Sequence, residues 1–174
     1  MDKLKILITY YSNTGNTQKV AESIKDGLSE ENIQLISIKD LDPSVLNSYD
    51  LVFLGSGVYA SRVHKSVLDL IKKAPKLPPR IVYFCTHASL KFYQKPFDKI
   101  TKLLEKQDCS ILGSFDCVGE NLGMPKEKQI EMLNRLPLEQ RKKAEVERKK
   151  TIGHPNSEDL QNATKFAQSI IKNL

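Results

Sequence analysis

Apolar runs rich in β-branched and aromatic residues alternate along the chain with stretches where apolar side chains recur every three or four positions. "KILITYY" (5–11) is the first run, and Val20, Ala21, Ile24 and Leu28 then share one helical face. "NIQLISI" (32–38) alternates more, as a strand nearer a sheet edge does. "YDLVFLGSG" (49–57) places four apolar residues before Gly55, and Val63, Val67, Leu68 and Ile71 form a helical stripe that "APKLPP" ends. "RIVYFCT" (80–86) is a fourth strand, followed by Pro96 at a helix start with Phe97, Ile100, Leu103 and Leu104 behind it. "SILGSFDCVG" (110–119) gives a fifth strand, interrupted near Gly113. The last helix takes Ser157 as its N-cap, Glu158 and Asp159 in its first turn, and an apolar face from Leu160 to Ile171.

Five strands joined by helical or compact crossovers predict a three-layer, doubly wound, five-stranded parallel α/β sheet covered on both faces. The crossover at 39–48 is short, and its residues do not decide whether it forms a true helix. In such sheets a ligand lies outside the carboxyl ends of the strands, where the winding reverses. Directly after the first strand stand Ser12, Asn13, Thr14, Gly15, Asn16 and Thr17, six small or polar residues opening a helix. The helix N-terminus offers unpaired backbone N–H groups and the positive end of a dipole. The hydroxyls and amides add neutral donors, and Gly15 lets the main chain close around an oxygen. With no Lys or Arg present, the loop suits a phosphate held in place rather than one being transferred.

Composition changes this picture little. The 174 residues suffice for one domain, 1–174, and 40% apolar with 28% charged residues is ordinary for a globular protein. No apolar run spans a bilayer and no leader pattern opens the chain, so a cytoplasmic protein without integral membrane association is expected. The three cysteines, Cys85, Cys109 and Cys117, have no CxxC spacing and read as small core hydrophobes. Of the net charge of +6, four charges fall in 124–150, where nine Lys or Arg face five Glu. That segment has no aromatics for base stacking, so nucleic acid is not expected. It reads as a basic insertion, helical or partly disordered, presenting a solvated face or docking an acidic partner.

"SNTGNT" after an apolar strand resembles the phosphate loop of the flavodoxins, whose usual form is Ser/Thr-x-Thr-Gly-x-Thr. "YDLVFLGSGVYASRVHKSV" is similar to that family's third-strand segment, and "GHPNSEDLQNATKFAQSI" to the final helix of one of its branches. The resemblance spans nearly the whole chain outside the basic insertion and implies the strand order 2-1-3-4-5 with FMN as cofactor. It implies the phosphate at Ser12–Thr17 and the flavin ring against Ser56, Gly57, Val58, Tyr59 and Ala60, with Tyr59 stacking. A flexible peptide at Ser56–Gly57–Val58 would turn toward the flavin's N5. Thr86, His87, Ala88 and Ser89 are expected on the second side of the ring, ahead of Phe92 and Tyr93. The chain departs from the family in being basic and in lacking Trp.

Rival motifs have weaker context. "GSGVYA" fits a dinucleotide fingerprint but follows the third strand, and no acidic residue ends the next one. Cys85 sits where C-x₅-R phosphatases place a nucleophile, yet Lys91 stands in the arginine position. Receiver domains need aspartates where Tyr10, Tyr11 and Leu54 stand. His64, read as solvent-facing near a helix start, His87, and His154, read as a loop residue, have no metal-ligand spacing. No metal site and no catalytic residue is assigned. The expected function is electron transfer between redox partners, with acidic ferredoxin-like carriers drawn to the basic segment. The alternatives are an FMN oxidoreductase acting on a small substrate such as NAD(P)H with a quinone or a porphyrinogen, and a non-redox interaction module.

Overall fold

The computed structural model describes residues 3–28, 32–90 and 95–174. Strands β1 (Lys5–Tyr11), β2 (Asn32–Ser37), β3 (Leu51–Tyr59), β5 (Arg80–His87) and β6 (Ser110–Val118) form a parallel sheet in the order β2-β1-β3-β5-β6. A short β4 (Arg62–Val63) pairs antiparallel with the end of β3. Without β4, this is the expected order 2-1-3-4-5.

Period-two alternation in the strands divides the core between two faces. Leu51 and Phe53 of β3 join Ile6, Ile8 and Phe84 beneath α1 (Asn16–Gly27) and α6 (Ser157–Lys172). Val52 and Leu54 face the other way and join Leu7, Val67, Leu70, Ile100 and Leu104 under α2 (Lys65–Lys73) and α3 (Asp98–Leu104). Edge strand β2 leaves Asn32 and Gln34 exposed, as its alternating pattern anticipates.

The short crossover holds a 3₁₀ helix at Pro43–Ser48, capped by Asp42, whose carboxylate accepts from the Ser44 N–H at 2.9 Å. The interruption in β6 is a bulge: Ile81 pairs with Ile111 and Val82 with Gly113, so Leu112 is skipped. The last helix is capped one residue earlier than Ser157. Asn156 accepts from the Asp159 N–H, and the Asp159 carboxylate accepts from the Asn156 N–H, a reciprocal capping box.

The basic segment folds as α4 (Lys126–Asn134) and α5 (Leu138–Thr151). Of all the residues in these two helices only Thr151 is buried. None of the described helices is long and apolar enough to cross a membrane.

Candidate functional site

The carboxyl ends of β1, β3, β5 and β6 surround a cleft of about 360 Å³, lined by residues from 12–17, 57–59, 86–88 and 119–124. It lies where the order of a doubly wound sheet reverses between β1 and β3.

The first wall is the turn from β1 into α1. Gly15 caps the helix at φ +96°, a left-handed conformation that costs a residue with a Cβ roughly 1–2 kcal/mol. The Gly15 N–H donates to Ser12 Oγ at 3.0 Å, which leaves the Ser12 hydroxyl proton free to donate elsewhere. Asn13 and Thr14 are exposed at the mouth, while Asn16 and Thr17 are buried. Thr17 Oγ1 and Thr86 Oγ1 share a hydrogen bond of 2.9 Å that joins α1 to β5. Asn16 Nδ2 donates to the Glu120 carbonyl at 2.8 Å, while Asn16 Oδ1 is buried with no donor among the described residues. Its partner contact fixes the amide orientation, so the orphaned atom is an acceptor awaiting an N–H or O–H.

The second wall is the end of β3, which runs on to Tyr59 and turns into β4 with Tyr59 opposite Arg62. Ala60 and Ser61 form the two-residue turn at φ +46° and +68°. The expected ring-contact residues therefore separate. Gly57, Val58 and Tyr59 line the cleft, whereas Ala60 sits on the exposed turn and does not. Ser56 is fully buried beneath the surface, its hydroxyl donating to the Gly57 carbonyl at 2.7 Å and accepting from the His64 N–H at 3.0 Å. The Tyr59 ring folds back over Gly57, where a Cβ would meet its hydroxyl at 2.8 Å. Burial pushes the Tyr59 phenol above its usual value and Tyr11 adds to the rise, while a hydrogen bond from the Asn13 backbone N–H opposes it. Tyr59 thus reaches from the β3 end to the first wall while staying 38% exposed.

Beside it, His64 stacks flat on Tyr11, with centroids 3.5 Å apart and planes 4° from parallel. The sequence places His64 toward solvent at a helix start. In the structure it caps α2, Nδ1 accepting from the Ser66 N–H at 3.2 Å. Partial burial lowers its pKa, Lys39 lowers it further, and Asp69 opposes.

The third wall is the β5 loop. Thr86, His87 and Ala88 line the cleft, and Ser89 lies just beyond it. His87 is 7% exposed, with Nδ1 2.8 Å from the Ser89 carbonyl and Nε2 3.0 Å from Asp116 Oδ2. A carbonyl only accepts, so the Nδ1 proton is fixed in place. Phe92 and Tyr93 lie outside the described residues.

The fourth wall, 119–124, has no counterpart in the sequence reading. "GENLGM" carries no apolar periodicity, and its two glycines are the only signal it offered. Gly119 donates to the His87 carbonyl at 2.8 Å and Glu120 to the His154 carbonyl at 2.7 Å. The Glu120 carboxylate is turned toward the Gly153 N–H at 2.9 Å, and Gln129 of α4 donates to the carbonyls of Asn121 and Met124. The loop is therefore held between α1 and the basic hairpin.

Cys85 and Cys117 are buried and Cys109 half-buried, all as free thiols. Burial raises Cys85 far above the thiol range, Cys117 to about 12 and Cys109 to about 11. A thiol held protonated is no nucleophile, so a phosphatase-type role for Cys85 fails on chemistry as well as motif. Among the described residues no cluster of three or more His, Cys, Asp or Glu could hold a metal. A second cavity, also about 360 Å³, adjoins the cleft across Ala88, Asn121 and Met124 and is roofed by α4 and α5.

A sequence profile of the flavodoxin domain matches residues 7–168. An uncharacterized protein of Methanocaldococcus jannaschii is 32% identical over 173 residues, covering 98% of this chain and 100% of that protein. The flavodoxin-like domain-containing protein BilS of Clostridioides difficile is 30% identical over 180 residues, covering 97% of each chain. Oxidised flavodoxin 1 from Bacillus cereus superposes with a TM-score of 0.65 over 97% of this chain and 98% of its own, at 16% identity, a likeness of fold.

Proposed function

The chain belongs to the flavodoxin domain family, and from that premise we propose that it binds FMN in the four-walled cleft and carries electrons between redox partner proteins. The observation that carries the reading is the orphaned Asn16 Oδ1. Asn16 lines a cleft at the carboxyl edge of the sheet, beside a helix N-terminus and a loop of neutral donors. A phosphate needs donors, which the first wall supplies through backbone N–H groups and the hydroxyls of Ser12 and Thr14. A ribityl hydroxyl can both donate and accept, and a buried carbonyl oxygen of an amide calls for such a donor.

In this reading Ser12 to Thr17 hold the phosphate and Asn16 meets the sugar-alcohol chain. Gly57, Val58 and Tyr59 face the ring from one side, and Thr86, His87 and Ala88 from another. FMN supplies the redox-active ring when bound; the protein supplies orientation, stacking and local charge. Tyr59 contributes an apolar face and excludes water from the mouth. His87, with its Nδ1 proton committed to the Ser89 carbonyl, keeps a fixed orientation at the wall. Ser56 and Ala60 act indirectly: the Ser56 hydroxyl anchors the Gly57 carbonyl, and Ala60 shapes the turn. The basic hairpin would draw acidic redox partners toward the same end of the molecule.

The test is FMN addition followed by the visible spectrum, flavin fluorescence and a reductive titration. Perturbed bands, quenched fluorescence and electron uptake in single steps are expected, and Tyr59→Ala should lower affinity and shift the reduction potential. Absence of binding at about tens of micromolar FMN would overturn the reading. One observation favours a second reading, oxidation or reduction of a small substrate: the apolar cavity beside the cleft.

A further inference from the structure

Helices α4 and α5 contribute no buried apolar side chain to the core, yet with the loops at 88–90 and 121–124 they line an open cavity of about 360 Å³. Its apolar wall is built from Leu90, Met124, Met132, Leu133, Leu136 and Ala144. Cavities of this size, mostly apolar with a few polar groups, are those that hold small organic ligands. Met132 remains 55% exposed although it lines the cavity, so an occupant would cover apolar surface that the chain itself leaves to water.

Two charged side chains, Glu147 and Arg148, also line it. Of the hairpin's three arginines, Arg135 pairs with Glu131 and Arg141 with Glu145, whereas Arg148 has no ion pair among the described residues. Its Nε is buried without an acceptor among the described residues. An N–H of a guanidinium hidden from water is costly until an acceptor reaches it, and a carboxylate or sulfonate is the acceptor it fits best. Glu147 asks for the opposite, a ligand N–H or O–H. We propose that this cavity is a binding site for a small organic anion with an apolar body, gripped at its charged end by Arg148. Only on the reading that the neighbouring cleft holds FMN does the shared wall of Ala88, Asn121 and Met124 make the site one for a redox substrate.

The cavity can be read without any flavin, which keeps its failure separate from that of FMN binding. The full-length chain is titrated with 8-anilinonaphthalene-1-sulfonate and with N-phenyl-1-naphthylamine, which shares the apolar frame and N–H but lacks the sulfonate. The expected result is saturable fluorescence enhancement by the sulfonate at one probe per chain. Arg148→Gln should weaken that binding about tenfold, the effect of losing one charge-assisted hydrogen bond, and leave the neutral probe unchanged. Ala144→Trp, which fills the cavity, should abolish binding of both probes, with circular dichroism and thermal midpoint reporting that the variant folds. Equal sulfonate affinity in wild type and Arg148→Gln would overturn the proposal. So would displacement of the probe by FMN, which would place it in the cleft, or one probe per two chains, which would make the face an interface between copies.

Discussion

Helices α1 and α4 both begin beside the cleft, yet they are attached by different physics. Helix α1 buries Asn16, Thr17, Val20, Ala21 and Ile24, and its apolar face is continuous with Phe53 and Phe84 of the sheet. Helix α4 buries no side chain and is tied down by Gln129, which donates to two loop carbonyls at 2.9 and 2.7 Å. Burial of apolar area is worth about 25 cal/mol per Å², whereas a hydrogen bond that replaces one to water nets about 0.5–1.5 kcal/mol. The sheet and its packed helices thus set the stability of the fold, and the hairpin rests on it through few contacts.

The sharpest way to break this contrast is to truncate one large side chain in each region. Phe84→Ala should cost about 3–5 kcal/mol in urea denaturation, and Met132→Ala less than about 0.5 kcal/mol. Comparable losses would mean the hairpin belongs to the cooperative core. Next in size is the joint between the regions. Asn16→Ala strands the Glu120 carbonyl and should cost about 1–3 kcal/mol. On the proposed function, calorimetry should also show FMN affinity about tenfold lower.

Charge sharpens the contrast from the hairpin's side. Lys143→Glu with Lys150→Glu, both exposed, should slow stopped-flow association with an acidic redox protein about tenfold at low salt, with the urea midpoint unmoved. Salt should slow the unmodified protein and have less effect on the variant. The smallest expected effect concerns His64. Its folded pKa lies below the ordinary 6.5, so the unfolded chain takes up the proton first. Stability from the neutral ring is full above 6.5 and falls as pH drops from there toward the folded value. A proton on Nδ1 would also remove the acceptor that caps α2. The groups around the ring are Tyr11 and Tyr59, with Lys39 favouring the neutral form and Asp69 opposing it. His64→Asn retains a cap and should flatten the thermal midpoint against pH in that range.

The sheet was legible because its strands are continuous apolar runs that only burial on both faces explains, whereas their order came from the resemblance of the loop at 12–17 and the third-strand segment to the flavodoxins and not from the runs themselves. The first wall of the cleft was legible because five polar residues and a glycine in succession exceed what a helix cap needs. What stayed hidden depends on contacts between distant segments. The β3–β4 hairpin turns on Ala60 and Ser61 rather than on Asn-Gly, so its turn chemistry is silent. Ser56 reads as a ring contact at the end of the third strand until the His64 N–H is seen to reach its oxygen from beneath the surface. The wall at 119–124 is shaped by Asn16, His87 and His154, none of them near it in sequence.

That last wall bears on biosynthesis. A ribosome makes residues 12–17 early, but the Gly119–Glu120 strap is pinned by the backbones of His87, Gly153 and His154. At translation rates of about 5–20 residues per second, the nascent chain carries its first wall on the order of ten seconds before the anchor exists. On the proposed function, cofactor capture should therefore be a late event, and nascent chains stalled before residue 154 should emerge without flavin.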